Sequence, residues 1–243
     1  MNTKVALITA ASSKIGSAIA LALSVKGYDI AIQYLNNHDA ARELKQLAEQ
    51  NGARVKLLSQ DLTREQGAHS IVKETVEAFG RVDLLVNTIG PCEYQNLLEA
   101  TPKEWEEMIT MNLNSVFNVI YNAKEHLIET KGHIITFGYA GVDLLKARST
   151  LTAYCAAKAG LVILTRSLAS EFGRHGVRVN MVCPGWIDDT PHSEERMQEI
   201  LQQIPFGRMG TVTEVAEVVT WLVEQSPEYV TGAIIPVAGA SEH

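Results

Sequence analysis

The sequence predicts a single α/β domain built around a doubly wound parallel sheet of about seven strands. Apolar runs of strand length alternate with segments of helical periodicity along nearly the whole chain, the pattern of consecutive βαβ units. The strand candidates are rich in Val, Ile and Leu, which suits a parallel sheet covered by helices on both faces. The 243 residues fit one large domain, spanning 1–243, better than two smaller ones.

The predicted elements follow one another along the chain, each bounded by turn residues. The strands are Val5–Thr9, Asp29–Tyr34, Arg54–Ser59, Leu84–Asn87, His133–Phe137, Arg178–Cys183 and Ala233–Val237. The helices are Ile15–Val25, Asp39–Gln50, Arg64–Phe79, Trp105–Thr130, Leu151–Phe172 and Val212–Glu224. Glycines that suit helix C-termini are Gly27, Gly52, Gly80, Gly132 and Gly176. The segment from Gly185 to about Pro205 follows no regular pattern, and we expect it to form a lid (about 185–205).

Composition and charge exclude several classes of function. Hydrophobic residues make up 46% of the chain and charged residues 20%, as in an ordinary globular protein. The formal charge is −7 and no basic run is long enough to follow a phosphate backbone, so we expect no nucleic-acid partner. No apolar stretch approaches the roughly 20 residues of a membrane span, so we expect no membrane partner.

The cysteines argue against both a disulfide framework and a metal site. Cys92, Cys155 and Cys183 lie far apart, are odd in number and lack metal-ligand spacing. We therefore expect no metal, and free thiols favour a reducing cytoplasmic location.

The first predicted strand ends in a loop of small residues that opens a helix. This loop is TAASSKIG, residues 9–16, and the N–H groups and dipole of a helix N-terminus attract phosphate. Lys14 would pair with a phosphate group there. The dinucleotide-binding fingerprint requires three glycines and this loop has only Gly16, so an ordinary tight turn is an open alternative.

The end of the second strand bears on the choice of nucleotide. Residues 33–37 read QYLNN and contain no Asp or Glu to hydrogen-bond a ribose 2′-hydroxyl. A 2′-phosphate is therefore not repelled at this position. We predict a preference for NADP(H), with NAD(H) possible, because the absence of an acid permits the phosphate without requiring it.

Tyr154 and Lys158 stand four residues apart on one face of a predicted helix. A nearby cation favours the phenolate and would lower the pKa of Tyr154 toward the working range of a general acid. About 0.3 such pairs are expected by chance in a chain with this many tyrosines and lysines, so the spacing alone is weak evidence.

In their order along the chain, these features and several others resemble the short-chain dehydrogenase/reductase family, which has a Rossmann-type fold. The landmarks are Thr9 to Gly16 for its phosphate loop, Asp61-Leu62 for its adenine contact, Asn87 to Gly90 for its Asn-Asn-Ala-Gly segment, Asn112 for its helix asparagine, Tyr154 with Lys158 for its Tyr-x-x-x-Lys, and Pro184 to Ile187 for its Pro-Gly segment. The cofactor contacts that the resemblance implies are Thr9, Ser12, Lys14, Ile15, Asp61, Leu62, Asn87, Gly90, Tyr154, Lys158, Pro184, Gly185 and Ile187.

The resemblance also implies a reaction, hydride transfer between NAD(P)H and a carbonyl group. Tyr154 would protonate the developing alkoxide. Lys158 would lower the pKa of Tyr154 and bind the nicotinamide ribose, and Asn112 would hold a water that feeds protons through Lys158.

Two departures from the family pattern stand out. Ala10 and Lys14 replace glycines of the phosphate loop, and their side chains limit how closely the backbone approaches a pyrophosphate. A cation at the Lys14 position resembles the pteridine reductase branch. Tyr139 stands where the family has its catalytic serine, so either Tyr139 or a neighbour takes that role. The neighbours that could supply this hydrogen-bonding group are Asp143, Ser149 and Thr152.

Three functions are consistent with these residues. The first is an NADPH-dependent reductase of carbonyl substrates similar to the 3-oxoacyl-acyl-carrier-protein reductases of fatty acid biosynthesis, acting on a small molecule or acyl thioester. The second is a pteridine-reductase-like enzyme that reduces a C=N bond, with Trp186 or Tyr139 stacking on the ring. The third is a cofactor-binding scaffold with impaired catalysis. The family resemblance further implies a homotetramer.

Overall fold

The computed structural model describes residues 3–241 and contains one sheet of seven parallel strands. The strands are β1 Val5–Thr9, β2 Asp29–Tyr34, β3 Val55–Ser59, β4 Leu84–Asn87, β5 His133–Phe137, β6 Arg178–Pro184 and β7 Ile234–Val237. Their spatial order is β3-β2-β1-β4-β5-β6-β7. The predicted doubly wound sheet is confirmed, and each predicted strand end lies within one residue of the observed end.

Helices cover both faces of this sheet. They are α1 Lys14–Val25, α2 His38–Gln50, α3 Glu65–Phe79, α4 Pro102–Ile109, α5 Ser115–Thr130, α6 Thr152–Gly173, α7 Glu194–Gln202 and α8 Val212–Glu224. In the part of the chain that the structure describes, no helix has the length and apolar character needed to span a membrane.

Alternation along each strand divides the core into two layers. Leu7 and Leu85 face a cluster formed with α3, α5 and α6, whereas their neighbours Ile8 and Val86 face a cluster formed with α1, α2 and α8. Each such fully buried aliphatic side chain contributes roughly 1.5–3 kcal/mol to folding relative to an exposed one. The buried runs that predicted the strands are therefore explained by packing on both faces.

The strand order reverses between β1 and β4, and this reversal positions the site. β1 pairs with β2 on one side and β4 on the other, with Thr9 opposite Asn87 at the carboxyl ends. The connections that leave β1 and β4 go to opposite faces of the sheet, which opens a crevice between them. Ligands of open α/β sheets bind in such a crevice.

The single long helix predicted for Trp105–Thr130 is wrong in two respects. The helix begins earlier, at Pro102, because Thr101 and Glu104 form a reciprocal capping box. It is then interrupted by a turn of π-helix at Thr110–Asn114 before α5. Single π-helical turns inside α-helices are frequent at functional sites, and this one contains Asn112.

The segment from Gly185 to Pro205, predicted to be irregular, contains the helix α7. The Ser193 side chain caps it by accepting a hydrogen bond from the Arg196 N–H, 3.2 Å away. Its buried residue Ile200 joins Ile204 and Met209 in a small cluster separate from the two main core layers. This segment therefore folds around its own apolar contacts. Its helix has only nine residues, which is too few for a hydrophobic periodicity to be recognised in the sequence.

Candidate active site

The crevice between β1 and β4 contains buried polar atoms that have no partner within residues 3–241. They are Oγ1 of Thr9 and both side-chain polar atoms of Asn87, and the two residues are 0% and 1% exposed. Leaving such groups unsatisfied costs about 1–3 kcal/mol each. A bound molecule with hydroxyl and amide groups would satisfy them, and the ribose and carboxamide of a nicotinamide nucleotide fit that description.

The loop after β1 is a tight turn that leads directly into α1. The Ser13 N–H donates to the Ala10 carbonyl at 3.0 Å, and the Ser13 side chain accepts from the Gly16 N–H at 3.1 Å. A Cβ on Gly16 would lie 2.8 Å from the Ala10 carbonyl oxygen, so only glycine allows this approach. Lys14, the first residue of α1, is exposed beside the free N–H groups of the helix start. The loop therefore offers a cation and N–H donors to a phosphate.

Other predicted nucleotide contacts differ in whether a ligand can reach their side chains or only their backbone. The Ile15 side chain packs against the core layer of α1, and Leu62 is 2% exposed, so a ligand reaches mainly their backbone. Asp61 accepts hydrogen bonds from the Thr63 N–H and hydroxyl at 3.0 and 2.7 Å, which lowers the pKa of its carboxyl. Asp61 is therefore an anion with a fixed orientation beside the carboxyl end of β3.

Tyr154 and Lys158 lie in the first turns of α6 and are close to each other. The Lys158 Nζ is 5.8 Å from the centre of the Tyr154 ring and donates to the Phe137 carbonyl at the end of β5, at 2.9 Å. Lys158 is 2% exposed, and burial lowers its pKa to about 8. Its ammonium thus titrates near the physiological range.

The pKa of Tyr154 is raised on balance, not brought down toward the working range of a general acid. Burial raises the pKa of Tyr154, and the thiols of Cys92 and Cys155 raise it further. The loss of solvation around the hydroxyl therefore outweighs the nearby cation, whose Nζ is directed to the Phe137 carbonyl. Tyr154 is consequently a neutral phenol at pH 7, the form that can donate a proton.

Asn112 joins this pair through the π-helical turn. Its amide nitrogen donates to the carbonyls of Pro91 and Met108 at 3.1 and 3.2 Å, and its buried Oδ1 has no partner among residues 3–241. A Cβ on Gly90 would lie 2.3 Å from this Oδ1 and 2.7 Å from the Lys158 Nζ. The structure therefore brings three predicted site residues, Gly90, Asn112 and Lys158, into one place.

Tyr139, in the position of the family's serine, lies beside Tyr154. The two ring centres are 5.7 Å apart with their planes tilted by 33°. The Tyr139 hydroxyl is hydrogen-bonded to the Cys155 thiol, and burial together with this bond raises its pKa. The neighbours considered as substitutes have other contacts. Thr152 donates to the Arg148 carbonyl at the start of α6, and Asp143 lines a cavity of about 360 Å³ together with Cys183.

The segment after β6 completes this side of the crevice. The Gly185 N–H donates to the Val237 carbonyl at 3.0 Å, and a Cβ on Gly185 would lie 2.8 Å from the Ala238 Cβ. Ile187 is 7% exposed and pairs with Gly210. The backbone after Pro184 is thus held close to the end of β7 and to Ala238, which only glycine at position 185 allows.

The sequence interpretation missed the thiols around Tyr154. Cys92 and Cys183 act electrostatically on both Tyr154 and Lys158, and Cys155 acts on Tyr154. Their spacing along the chain gave no signal, since they come from the loop after β4, from α6 and from β6. The sequence contained one weak signal, which is that two of the cysteines adjoin predicted site residues. Cys155 follows Tyr154, and Cys183 precedes Pro184.

A family model and a curated relative both match nearly the whole chain. A family model described as enoyl-(acyl carrier protein) reductase matches residues 9–240. The 3-oxoacyl-[acyl-carrier-protein] reductase FabG of Staphylococcus aureus strain Mu50 is 33% identical over 240 residues, which covers 98% of this chain and 97% of that protein.

Solved structures give the same result. A dehydrogenase/reductase from Sinorhizobium meliloti 1021 superposes with a TM-score of 0.92 at 32% identity and covers 98% of this chain and 95% of its own. A blue fluorescent protein from a metagenomic library, solved in complex with NADPH, superposes with a TM-score of 0.91 at 32% identity, covering 98% and 97%.

Proposed function

Because the chain belongs to the short-chain dehydrogenase/reductase family, we propose that this oxidoreductase uses NADPH to reduce the carbonyl group of a 3-oxoacyl thioester. The observation that carries the proposal is the convergence of Tyr154, Lys158 and Asn112 at the carboxyl ends of the strands. The buried, unpartnered polar atoms of Thr9 and Asn87 lie at the same edge. Together they supply a proton donor beside a nucleotide crevice.

The chemistry divides between the nucleotide and the chain. The nicotinamide, when bound, supplies the hydride. Tyr154, neutral because burial raises its pKa, donates its hydroxyl proton to the substrate oxygen on which negative charge develops. Lys158 then stabilises the resulting phenolate electrostatically, and its pKa of about 8 allows it to pass a proton onward. The free Oδ1 of Asn112 orients a water toward Lys158.

Tyr139 takes the place of the serine as a second hydrogen-bonding group near the substrate oxygen. Its ring is 5.7 Å from that of Tyr154, and its hydroxyl already has a partner in the Cys155 thiol. A thiol is a weak partner, so the hydroxyl can exchange it for a carbonyl oxygen.

A preference for NADPH over NADH rests on the surroundings of the adenosine ribose. The residues after β2 are Leu35, Asn36 and Asn37, all exposed and uncharged, and they lead into the N-terminus of α2. Lys14 is exposed at the N-terminus of α1. Two helix N-termini and one cation favour the additional negative charge of a 2′-phosphate.

The acyl portion of the substrate would enter the cavity of about 360 Å³ beside the site. Cys183, which lines this cavity, packs against Gly138, the residue before Tyr139, since a Cβ on Gly138 would lie 2.7 Å from the Cys183 Sγ. Leu144, Ile234 and Pro236 give it apolar walls. The 33% identity to a 3-oxoacyl-[acyl-carrier-protein] reductase supports the same substrate class.

The assembly we propose is a homotetramer in the cytoplasm. Phe117 and Tyr121 on α5 and Ile163 on α6 are 46%, 52% and 69% exposed, and they form apolar surface that second copies of the chain would cover. The three cysteines are free thiols, which suits a reducing compartment.

The proposal is tested by initial rates of nucleotide oxidation with acetoacetyl-coenzyme A, measured with NADPH and with NADH. We expect turnover and a kcat/KM at least about tenfold higher with NADPH, equivalent to about 1.4 kcal/mol. Turnover of dihydrobiopterin without turnover of the thioester would instead support the pteridine alternative. Nucleotide binding with no turnover of either substrate would support the scaffold alternative.

A further inference from the structure

The loop that would hold the cofactor phosphates contains a backbone conformation that its residue does not favour. Ala10 has a φ of +46°, in the left-handed region where glycine is preferred. Its carbonyl accepts the Ser13 N–H and lies against Gly16, so a change at Ala10 would move the start of α1. Something outside the loop must therefore stabilise this conformation.

Gln33, on the neighbouring strand β2, makes the contacts that do this. Its Oε1 accepts the Ala10 N–H at 2.7 Å, and its backbone carbonyl accepts the Ala11 N–H at 2.8 Å. Its Nε2 donates to the Gln60 carbonyl after β3 at 2.8 Å, which fixes the orientation of the amide. Gln33 is 2% exposed, so these bonds are protected from water.

We propose that Gln33 is a positioning residue for the nucleotide, acting through Ala10. With Gln33 in place, the Ala10 N–H has a fixed partner, and the Ala10 carbonyl accepts the Ser13 N–H in the turn that leads into α1. Without it, Ala10 returns to a negative φ and the loop loses the shape that admits a pyrophosphate. This inference rests on the proposed use of a nicotinamide nucleotide.

Compensation at Ala10 distinguishes this role from a general structural one. Glycine adopts a positive φ without steric cost, so Ala10→Gly reduces the need for the Gln33 bond. We expect Gln33→Leu to weaken NADPH binding by about tenfold or more in the native background and by less than about threefold in the Ala10→Gly background. The measurement is NADPH dissociation constants from nucleotide fluorescence.

A matched control removes a different buried hydrogen bond. Thr75 is 0% exposed and donates to the Ile71 carbonyl in α3 at 2.6 Å, away from the loop. Thr75→Val should lower the melting temperature while leaving the NADPH dissociation constant unchanged. An equal weakening of NADPH binding in Thr75→Val and Gln33→Leu would overturn the proposal, as would equal effects of Gln33→Leu in both backgrounds.

A second readout does not depend on the nucleotide. Hydrogen exchange of the Ala10 amide should accelerate in Gln33→Leu more than that of the Thr9 amide in β1. If Gln33→Leu does not fold, Gln33→Asn, whose amide is one methylene short of Ala10, replaces it with the same expectation. An Ala10 amide that stays protected in Gln33→Leu contradicts the inference, whether or not the native protein binds a nucleotide. Failure of the native protein to bind NADPH refutes the proposed function instead, so the two failures are distinguishable.

Discussion

The amide oxygen of Asn112 and the ammonium of Lys158 converge on the backbone of Gly90. A Cβ at Gly90 would lie 2.3 Å from the Asn112 Oδ1 and 2.7 Å from the Lys158 Nζ. Gly90 also has a φ of +137°, which side chains rarely adopt. The close approach of these two polar groups therefore requires glycine between them.

Gly90→Ala should displace both groups and lower kcat by about 10²-fold, because small displacements of catalytic groups have effects of that size. We also expect the free energy of unfolding to fall by about 1–3 kcal/mol, as in other overpacked sites. The measurements are steady-state kinetics and urea unfolding. Gly173→Ala is the control, since nothing lies within 4 Å of its Cβ position. A Gly90→Ala enzyme as active as the control would show that the convergence is not needed.

Lys158→Ala should lower kcat/KM by about 10²–10⁴-fold, the contribution typical of proton-transfer groups. In the native enzyme kcat/KM should fall as the pH rises through about 8, because the buried Lys158 then loses its proton and its charge. Lys158→Arg keeps the charge and should move that fall to higher pH. A native profile that is flat between pH 7 and 9 would contradict the role given to the ammonium.

Tyr139→Phe should lower kcat by about 10²–10³-fold, the effect of losing one hydrogen bond to a developing oxyanion. The substitution keeps the ring beside Tyr154 and removes only the hydroxyl that contacts the Cys155 thiol. Tyr139→Ser, which supplies a hydroxyl without the ring, should recover part of the lost rate. Unchanged kcat in Tyr139→Phe would mean that another group fills the position of the serine.

His133 should make the protein less stable in mild acid. It is buried at the start of β5, and its Nε2 accepts the Asn180 amide N–H at 2.9 Å, an arrangement that requires the neutral ring. Burial lowers its pKa to about 3. Below pH 6.5 the unfolded chain binds a proton that the folded chain does not, so the free energy of unfolding falls by up to about 1.4 kcal/mol per pH unit.

The comparison of His133→Gln with native protein by urea unfolding at pH 7, 6 and 5 tests this effect. Glutamine keeps a hydrogen-bond acceptor and does not titrate, so the acid slope should be smaller in the variant. His175→Gln, at an exposed histidine, should leave the slope unchanged. Equal slopes in all three proteins would contradict the assignment to His133.

Much of the fold was predictable because burial on both faces of a parallel sheet leaves continuous apolar runs, such as Val5 to Ile8. The spacing of Tyr154 and Lys158 likewise placed them on one helical face. Two features were not predictable. The π-helical turn contains Asn112, whose amide bonds the carbonyls of Pro91 and Met108, and no sequence pattern marks it. The helix α7 depends on Ile200 packing against residues outside it.

The electrostatics of the site was the least predictable part. The sequence shows the Lys158 cation near Tyr154 but not the desolvation of the Tyr154 hydroxyl, which dominates its pKa. It also does not show that thiols from three separate elements act electrostatically on the phenol, because the fold, and not the spacing along the chain, brings the loop after β4, the start of α6 and the end of β6 to one edge of the sheet. The support of Ala10 by Gln33 similarly joins two strands through a single side chain.

The most direct test of the proposed reaction is the rate of NADPH-dependent reduction of acetoacetyl-coenzyme A by the native enzyme and by Tyr154→Phe, with the NADPH dissociation constant measured on the same preparations. We predict that the variant still binds NADPH and loses at least about 10²-fold in kcat, because it lacks the only proton that the phenol can donate. A variant that binds NADPH and reduces the substrate at the native rate would contradict the assignment of Tyr154 as the proton donor.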